Sequence, residues 1–170
     1  MTDSQVEAVK GSEIFAAVID GELLKERDRT FSLEQRAMAV VTSSGVLVSL
    51  VFGFGALIRG QAGPHLPIAS RGLLGLALLA FVLAAVMSLL TNRPRAYRPL
   101  GVQADLRKMV SELWGISADG ALHSIAEYRV GEVDRWRDNN KAKAAHLQRA
   151  IALECSGIGL LAASIVVILV

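Results

Sequence analysis

Only one cysteine, Cys155, stands in this chain of 170 residues, so neither an intrachain disulfide nor a thiolate metal cluster can form. Its place in an apolar run predicts a small packing residue. Catalytic signatures are missing as well: there is no HExxH, no GxxxxGK[ST], no GxSxG and no cysteine pair. No cofactor motif is present, and the sequence predicts a protein that is not an enzyme. Of the three histidines, His65 lies in a Pro- and Gly-containing turn. His123 and His146 are about 34 Å apart on an ideal helix, too far to share one metal ion. The first 30 residues contain no apolar run and are rich in acids, which predicts no cleaved signal peptide.

The most informative absence is that of charge over long stretches. Between Arg36 and Arg59 lie 22 uncharged residues, between Arg71 and Arg93 another 21, and the last 16, Cys155–Val170, are also uncharged. A bilayer core about 30 Å thick needs about 20 apolar residues of helix. The third run reaches that length by starting near Ala150 and taking in Glu154. A chain of this size has no soluble core large enough to hide three such helices. The predicted fold is therefore all-α and integral to a membrane, with three transmembrane helices.

Charge then sets the predicted topology. Residues 1–36 carry five Lys/Arg, the 59–71 connection two, and residues 93–149 eleven. Arginine-dense loops stay in the cytoplasm, so the amino terminus is predicted inside and the carboxyl terminus outside. The expected organisation is a cytoplasmic amphipathic segment at 1–36 and a two-helix hairpin at 37–92 with an external loop at 59–71. A cytoplasmic helical segment at 93–149 and a third transmembrane helix at 150–170 follow. A basic loop beneath an anionic leaflet is ordinary, so no nucleic-acid polymer is expected as a partner.

Along the chain, Ser12 is a plausible helix cap, and Ser32 with Gln35 fits a capping box opening the first transmembrane helix. A helix is predicted from about Val102 to Trp114, ended by Gly115. Ser117 caps a longer helix whose apolar positions include Ile125, Val133, Trp136 and Leu147. Asn140 interrupts that stripe. No strong breaker follows, so the helix is expected to continue into the third span as a rod exceeding about 45 residues. The spans carry small residues at intervals of four: Gly45, Ser49 and Gly53; Ala80, Ala84 and Ser88; Cys155, Gly159 and Ala163. Such stripes let helices approach closely, within one chain or between chains. Thr42, Ser43 and Ser44 have no candidate base near them in sequence, and back-bonding to the preceding turn accounts for them.

Glu154 is the one ionisable residue inside a candidate span. It could lie at the headgroup level, line an oligomer axis or pore mouth, or pair with Arg149, Arg36 or Arg93.

The order of elements, with Glu34-Gln35-Arg36-Ala37 entering the first span, Asn140-Lys141-Ala142-Lys143-Ala144, and then Leu147-Gln148-Arg149-Ala150, resembles the Pycsar transmembrane effector family of bacterial antiphage signalling. It is also similar in part to SLATT-type two-span effectors. The resemblance implies an inner-membrane homo-oligomer that impairs the membrane when triggered by a cyclic nucleotide from a neighbouring cyclase. Arg93, Arg95, Arg98, Arg107 and Lys108 are then the charge candidates for the phosphate, because guanidinium donors engage two oxygens at once. Topology alone also accounts for the first three. Two other readings fit the same elements. One is a membrane scaffold docking a partner through Trp136, Val133 and Ile125; the other is a small constitutive channel subunit.

Overall fold

The computed structural model describes residues 3–60, 67–93, 111 and 115–169. These residues form three long helices, α1 (Asp3–Gly60), α2 (Ile68–Asn92) and α3 (Ala118–Leu169), with no strand among them. Each is long and apolar enough to cross a membrane, with mean hydropathies over 18 residues reaching 1.6, 2.8 and 2.2 in α1, α2 and α3. The expected helix at 102–114 lies outside the described residues, except for Ser111.

Helix ends differ from the expectation in two places and agree in a third. Ser12 and Ser32 are interior residues of α1 and not its start, because no proline interrupts 3–60 and the polar run at 25–36 supplies a side-chain face instead of a stop. The 59–71 connection is shorter than expected, since α1 runs to Gly60 and α2 starts at Ile68. The first turn of α2 closes through Arg71 N donating to Pro67 O at 3.2 Å and Ser70 Oγ to the same carbonyl at 2.8 Å. Arg59 and Arg71 mark the limits of the apolar runs, not of the helices. Ser117 does cap α3: its Oγ accepts from Gly120 N at 3.2 Å. From there α3 continues unbroken for 52 residues, as the absence of a breaker predicts.

The chain divides into two compact units. The first, Met1–Thr30 with Pro94–Asn140, is held by polar side chains of α1 and α3. Arg129 Nη1 sits 2.6 and 2.7 Å from the two Asp20 carboxylate oxygens. Arg137 reaches Glu22 at 2.9 Å and Glu26 at 3.4 Å. Arg27 lies 3.6 Å from Glu132 and 6.0 Å from the Trp136 ring centroid. At the centre is Asn140, fully buried: its Nδ2 donates to the Glu26 carbonyl and carboxylate, both at 2.8 Å, and its Oδ1 accepts from Thr30 Oγ1 at 2.7 Å. Both amide donors and the acceptor are thus used, so the buried amide carries no desolvation penalty for unmade bonds. The hydrogen-bonded pairs are 109 to 115 residues apart and advance together along both helices, which makes the pairing parallel.

The second unit, Phe31–Arg93 with Lys141–Val170, is built differently. Its core joins Ala37 and Val40 of α1, Ala84 of α2, and Leu147 and Ala150 of α3, with Leu33, Met87 and Leu153 around them. Lys143 donates to Glu34 across the same parallel α1–α3 register, at a separation of 109 residues. Helix α2 runs antiparallel to α3: Ser164 Oγ donates to the Ser70 carbonyl at 3.1 Å, and Gly157 abuts the buried Phe81 ring. A Cβ at position 157 would lie 2.7 Å from Phe81 Cε1, so only glycine allows this approach.

Candidate functional site

Within the second unit, α1 and α3 bring Ser43 and Ser44 against Glu154. Ser43 Oγ donates to Glu154 Oε1, and Ser44 Oγ lies 3.4 Å from the same oxygen. Ser44 is buried and Glu154 half-buried. Back-bonding occurs next to it, where Thr42 Oγ1 donates to the Met38 carbonyl at 3.0 Å; the single Ser43 proton can go either to Glu154 or to the Ala39 carbonyl, 3.0 Å away. Glu154 falls 11 residues beyond Lys143, close to three turns, so both lie on the α1-facing side of α3. A carboxylate here is acceptor-only when ionised, and two hydroxyl donors are the minimum equipment that lets it sit among apolar neighbours. None of the three arginines considered as partners for Glu154 is needed to account for its hydrogen bonding.

Among the described residues of this unit, three further polar atoms are buried without a hydrogen-bond partner: Ser88 Oγ and Asn92 Oδ1 on α2, and His146 Nδ1 on α3. The α2–α3 register places them within one turn. Counted antiparallel from the contact of Phe81 with Gly157, position 92 falls opposite 146 and position 88 opposite 150, one turn apart. Thr91, on the same helix, behaves otherwise and donates to the Met87 carbonyl at 3.2 Å. His146 turns Nδ1 inward. His123 is exposed and lies 3.5 Å from Glu127.

Close to this level an open groove of about 480 Å³ is lined by Phe31, Glu34, Gln35 and Met38 from one face of α1 and by Asn92, the last residue of α2. No group of three His, Cys, Asp or Glu side chains that could hold a metal ion comes together among the described residues.

The small-residue stripes separate into two kinds. Ala80, Ala84 and Ser88 are buried. Gly45, Ser49, Gly53, Gly159 and Ala163 are exposed, and Cβ atoms built at the three glycines would meet nothing within 4 Å. Cys155 is exposed, not packed, because the inward face of α3 at that level is taken by Glu154 and Gly157. Of the proposed phosphate ligands, Arg93 is exposed at the C-cap of α2, while Arg95, Arg98, Arg107 and Lys108 lie outside the described residues. Val133 is buried in the first unit, which removes it from a docking seam; Ile125 is exposed.

The Ser43–Ser44–Glu154 cluster and the Asn140 hub escape a local reading because each joins residues about 110 positions apart. One signal was available: a lone Asn at an otherwise apolar helix position often fixes the register of paired helices.

Comparison with protein-family models, curated proteins and solved structures finds no match.

Proposed function

We propose that this chain is a non-catalytic multi-pass effector of a bacterial inner membrane, which assembles into homo-oligomers and impairs membrane integrity when triggered. Its amino terminus then faces the cytoplasm and its carboxyl terminus the outside, following the five, two and eleven basic residues of successive segments. The observation that carries this reading is that the second unit has two sets of small residues. Ala37, Ala84, Ala150 and Gly157 pack the chain on itself. Gly45, Ser49, Gly53, Gly159 and Ala163 face outward and are left over by that packing. Lipid offers no hydrophobic drive for helices to associate, so close approach at small residues is the main source of attraction between them. An outward set of this kind supports lateral association of copies.

Glu154 gives the assembly its chemistry. A carboxylate in a membrane segment is costly and marks function by default. Repeated around an axis, it would attract cations or share protons with its neighbours. A cyclic nucleotide is the proposed trigger, with Arg93, Arg95, Arg98, Arg107 and Lys108 as its phosphate donors; it acts only by binding the assembled state more tightly. Exposed Ile14, Phe15 and Val18 in the first unit favour a second reading, a scaffold that docks a partner.

The test pairs assembly with liposome flux. Gly53→Leu and Gly159→Leu should leave the Tm of the monomer unchanged, because a side chain there meets nothing of its own chain. Both should abolish oligomers and nucleotide-dependent dye release. A wild-type protein that stays monomeric and passes no dye with any cyclic nucleotide would overturn the effector reading and leave the scaffold.

A further inference from the structure

In the second unit, α1 carries an exposed stripe whose members step alternately by four and three residues: Phe31, Gln35, Met38, Thr42, Gly45 and Ser49. That spacing is the seven-residue repeat of helices that supercoil around one another. The packing of the unit leaves the stripe open. Phe31 is 63% and Met38 51% exposed, and a Cβ at Gly45 would meet nothing within 4 Å. Thr42 and Ser49 donate to carbonyls of their own helix. The groove of about 480 Å³ lies on this stripe, and its α1 lining, Phe31, Glu34, Gln35 and Met38, is spaced i, i+3, i+4 and i+7. Four residues so placed outline the hole that receives one side chain of a facing helix. Phe31 and Gln35 also precede Arg36, the last charge before the apolar run, so the acyl chains of a bilayer do not cover them. A neighbouring exposed stripe of the same spacing, Arg36, Ala39, Ser43, Val46 and Leu50, opens on a charge, turns Ser43 to Glu154 and presents aliphatic groups suited to lipid.

We propose that the stripe from Phe31 to Ser49 is a seam at which α1 pairs, parallel and in register, with α1 of a second copy of the chain. Copies inserted in one membrane share one orientation, so the axis that relates them runs along the bilayer normal and equivalent helices meet parallel. In such a pair, the side chain that faces the hole at 31, 34, 35 and 38 is Gln35 of the second copy. An amide carries both donors and an acceptor, so the two Gln35 side chains complete each other's hydrogen bonds. A polar residue at a seam position also fixes the register of the pair. Farther along, Gly45 and Ser49 let the two backbones approach closely. Below Phe31 the next position of the repeat is Asp28, where two copies would set like charges together, so the seam begins at Phe31. This inference rests on the homo-oligomer of the proposed function, and on neither its trigger nor its effect on the membrane.

Disulfide trapping in phospholipid vesicles tests it, with the full chain in a Cys155→Ser background carrying one new cysteine at a time. Every position chosen is exposed, so each variant keeps the packing of its own chain. Oxidation, with or without added cyclic nucleotide, should give covalent dimers of Gln35→Cys, Met38→Cys, Thr42→Cys and Ser49→Cys. Ala39→Cys, Val46→Cys and Leu50→Cys should give none, because cysteines whose Cα atoms are more than about 7 Å apart do not bridge. Equal yields from the two sets, which random collision would produce, or dimers confined to 39, 46 and 50 would overturn the seam. Dimers of Gly159→Cys and Ala163→Cys alone would also overturn it, and would leave the homo-oligomer standing through α3. Dimers at none of these positions would overturn both. Dimers along the seam in a protein that releases no dye would support the pairing and remove the effector reading alone.

Discussion

The first unit joins α1 to α3 with arginines, carboxylates and one buried amide; the second joins the same two helices with alanines, hydroxyls and a single ion pair, Lys143 with Glu34, and adds α2 through Gly157 against Phe81. One pair of helices thus uses two chemistries along its length. The difference is the one that the proposed insertion of the second unit into a bilayer would require. Exposed ion pairs form at little cost in water and contribute about 0–1 kcal/mol each. In hydrocarbon the same charges would be prohibitive, and close packing with back-bonded hydroxyls takes their place. Where each chemistry must place a polar group inside, it supplies partners: Asn140 has three and Glu154 has two serines.

The sharpest way to break the second unit alone is Gly157→Leu. Phe81 is fully buried and its ring would be 2.7 Å from even a Cβ, so overpacking should cost about 3 kcal/mol and lower Tm, whereas Gly159→Leu, two residues on, should not. Equal Tm values for the two variants would erase the distinction between inward and outward glycines. Next in size is Asn140→Leu in the first unit. It strips Glu26 and Thr30 of their shared partner and should cost about 2 kcal/mol, with faster amide exchange in residues 20–30 and 129–140. Unchanged exchange would show that the charges alone hold this unit.

The smallest effect is a pH response confined to the first unit. The hydrogen bond from Lys25, its charge, and then Arg137 hold the Glu22 carboxyl below its ordinary value of 4.5. A carboxyl so lowered adds stability that is complete above 4.5 and is lost as pH falls through the lowered value. The Glu22 side-chain carbon signal should titrate with a midpoint below 4.5 and move up in Arg137→Gln. Because more than a third of the Glu22 side chain is exposed to solvent, 1 M salt should shrink the displacement. A midpoint at 4.5 in both proteins would mean that the ion pairs are decorative.

The three apolar runs, the Ser117 cap and the unbroken α3 were legible because each is written in neighbouring residues. Continuity of α1 was not, since Ser32 and Gln35 form a locally correct capping pattern that the helix simply passes through. Stripes of small residues predicted contact but not its direction. Gly157 belongs to none of the three stripes, yet it makes the closest approach, because the decisive ring comes from Phe81 on another helix. The serines flanking Glu154 were visible as hydroxyls and not as its partners.

Parallel pairing of α1 with α3 also fixes the order in which the chain can fold. Antiparallel helices meet as soon as the second leaves the ribosome, but Asn140 is made 110 residues after Thr30 and Glu154 some 111 after Ser43. Throughout that interval Asp20, Glu22 and Glu26 have no basic partner from α3, and Ala37 and Val40 have no Leu147 or Ala150 to cover them. Contacts so distant in sequence form slowly. Synthesis halted before residue 129 leaves the carboxylates and apolar face of α1 without their α3 partners, a species for which chaperones and membrane proteases are the natural readers.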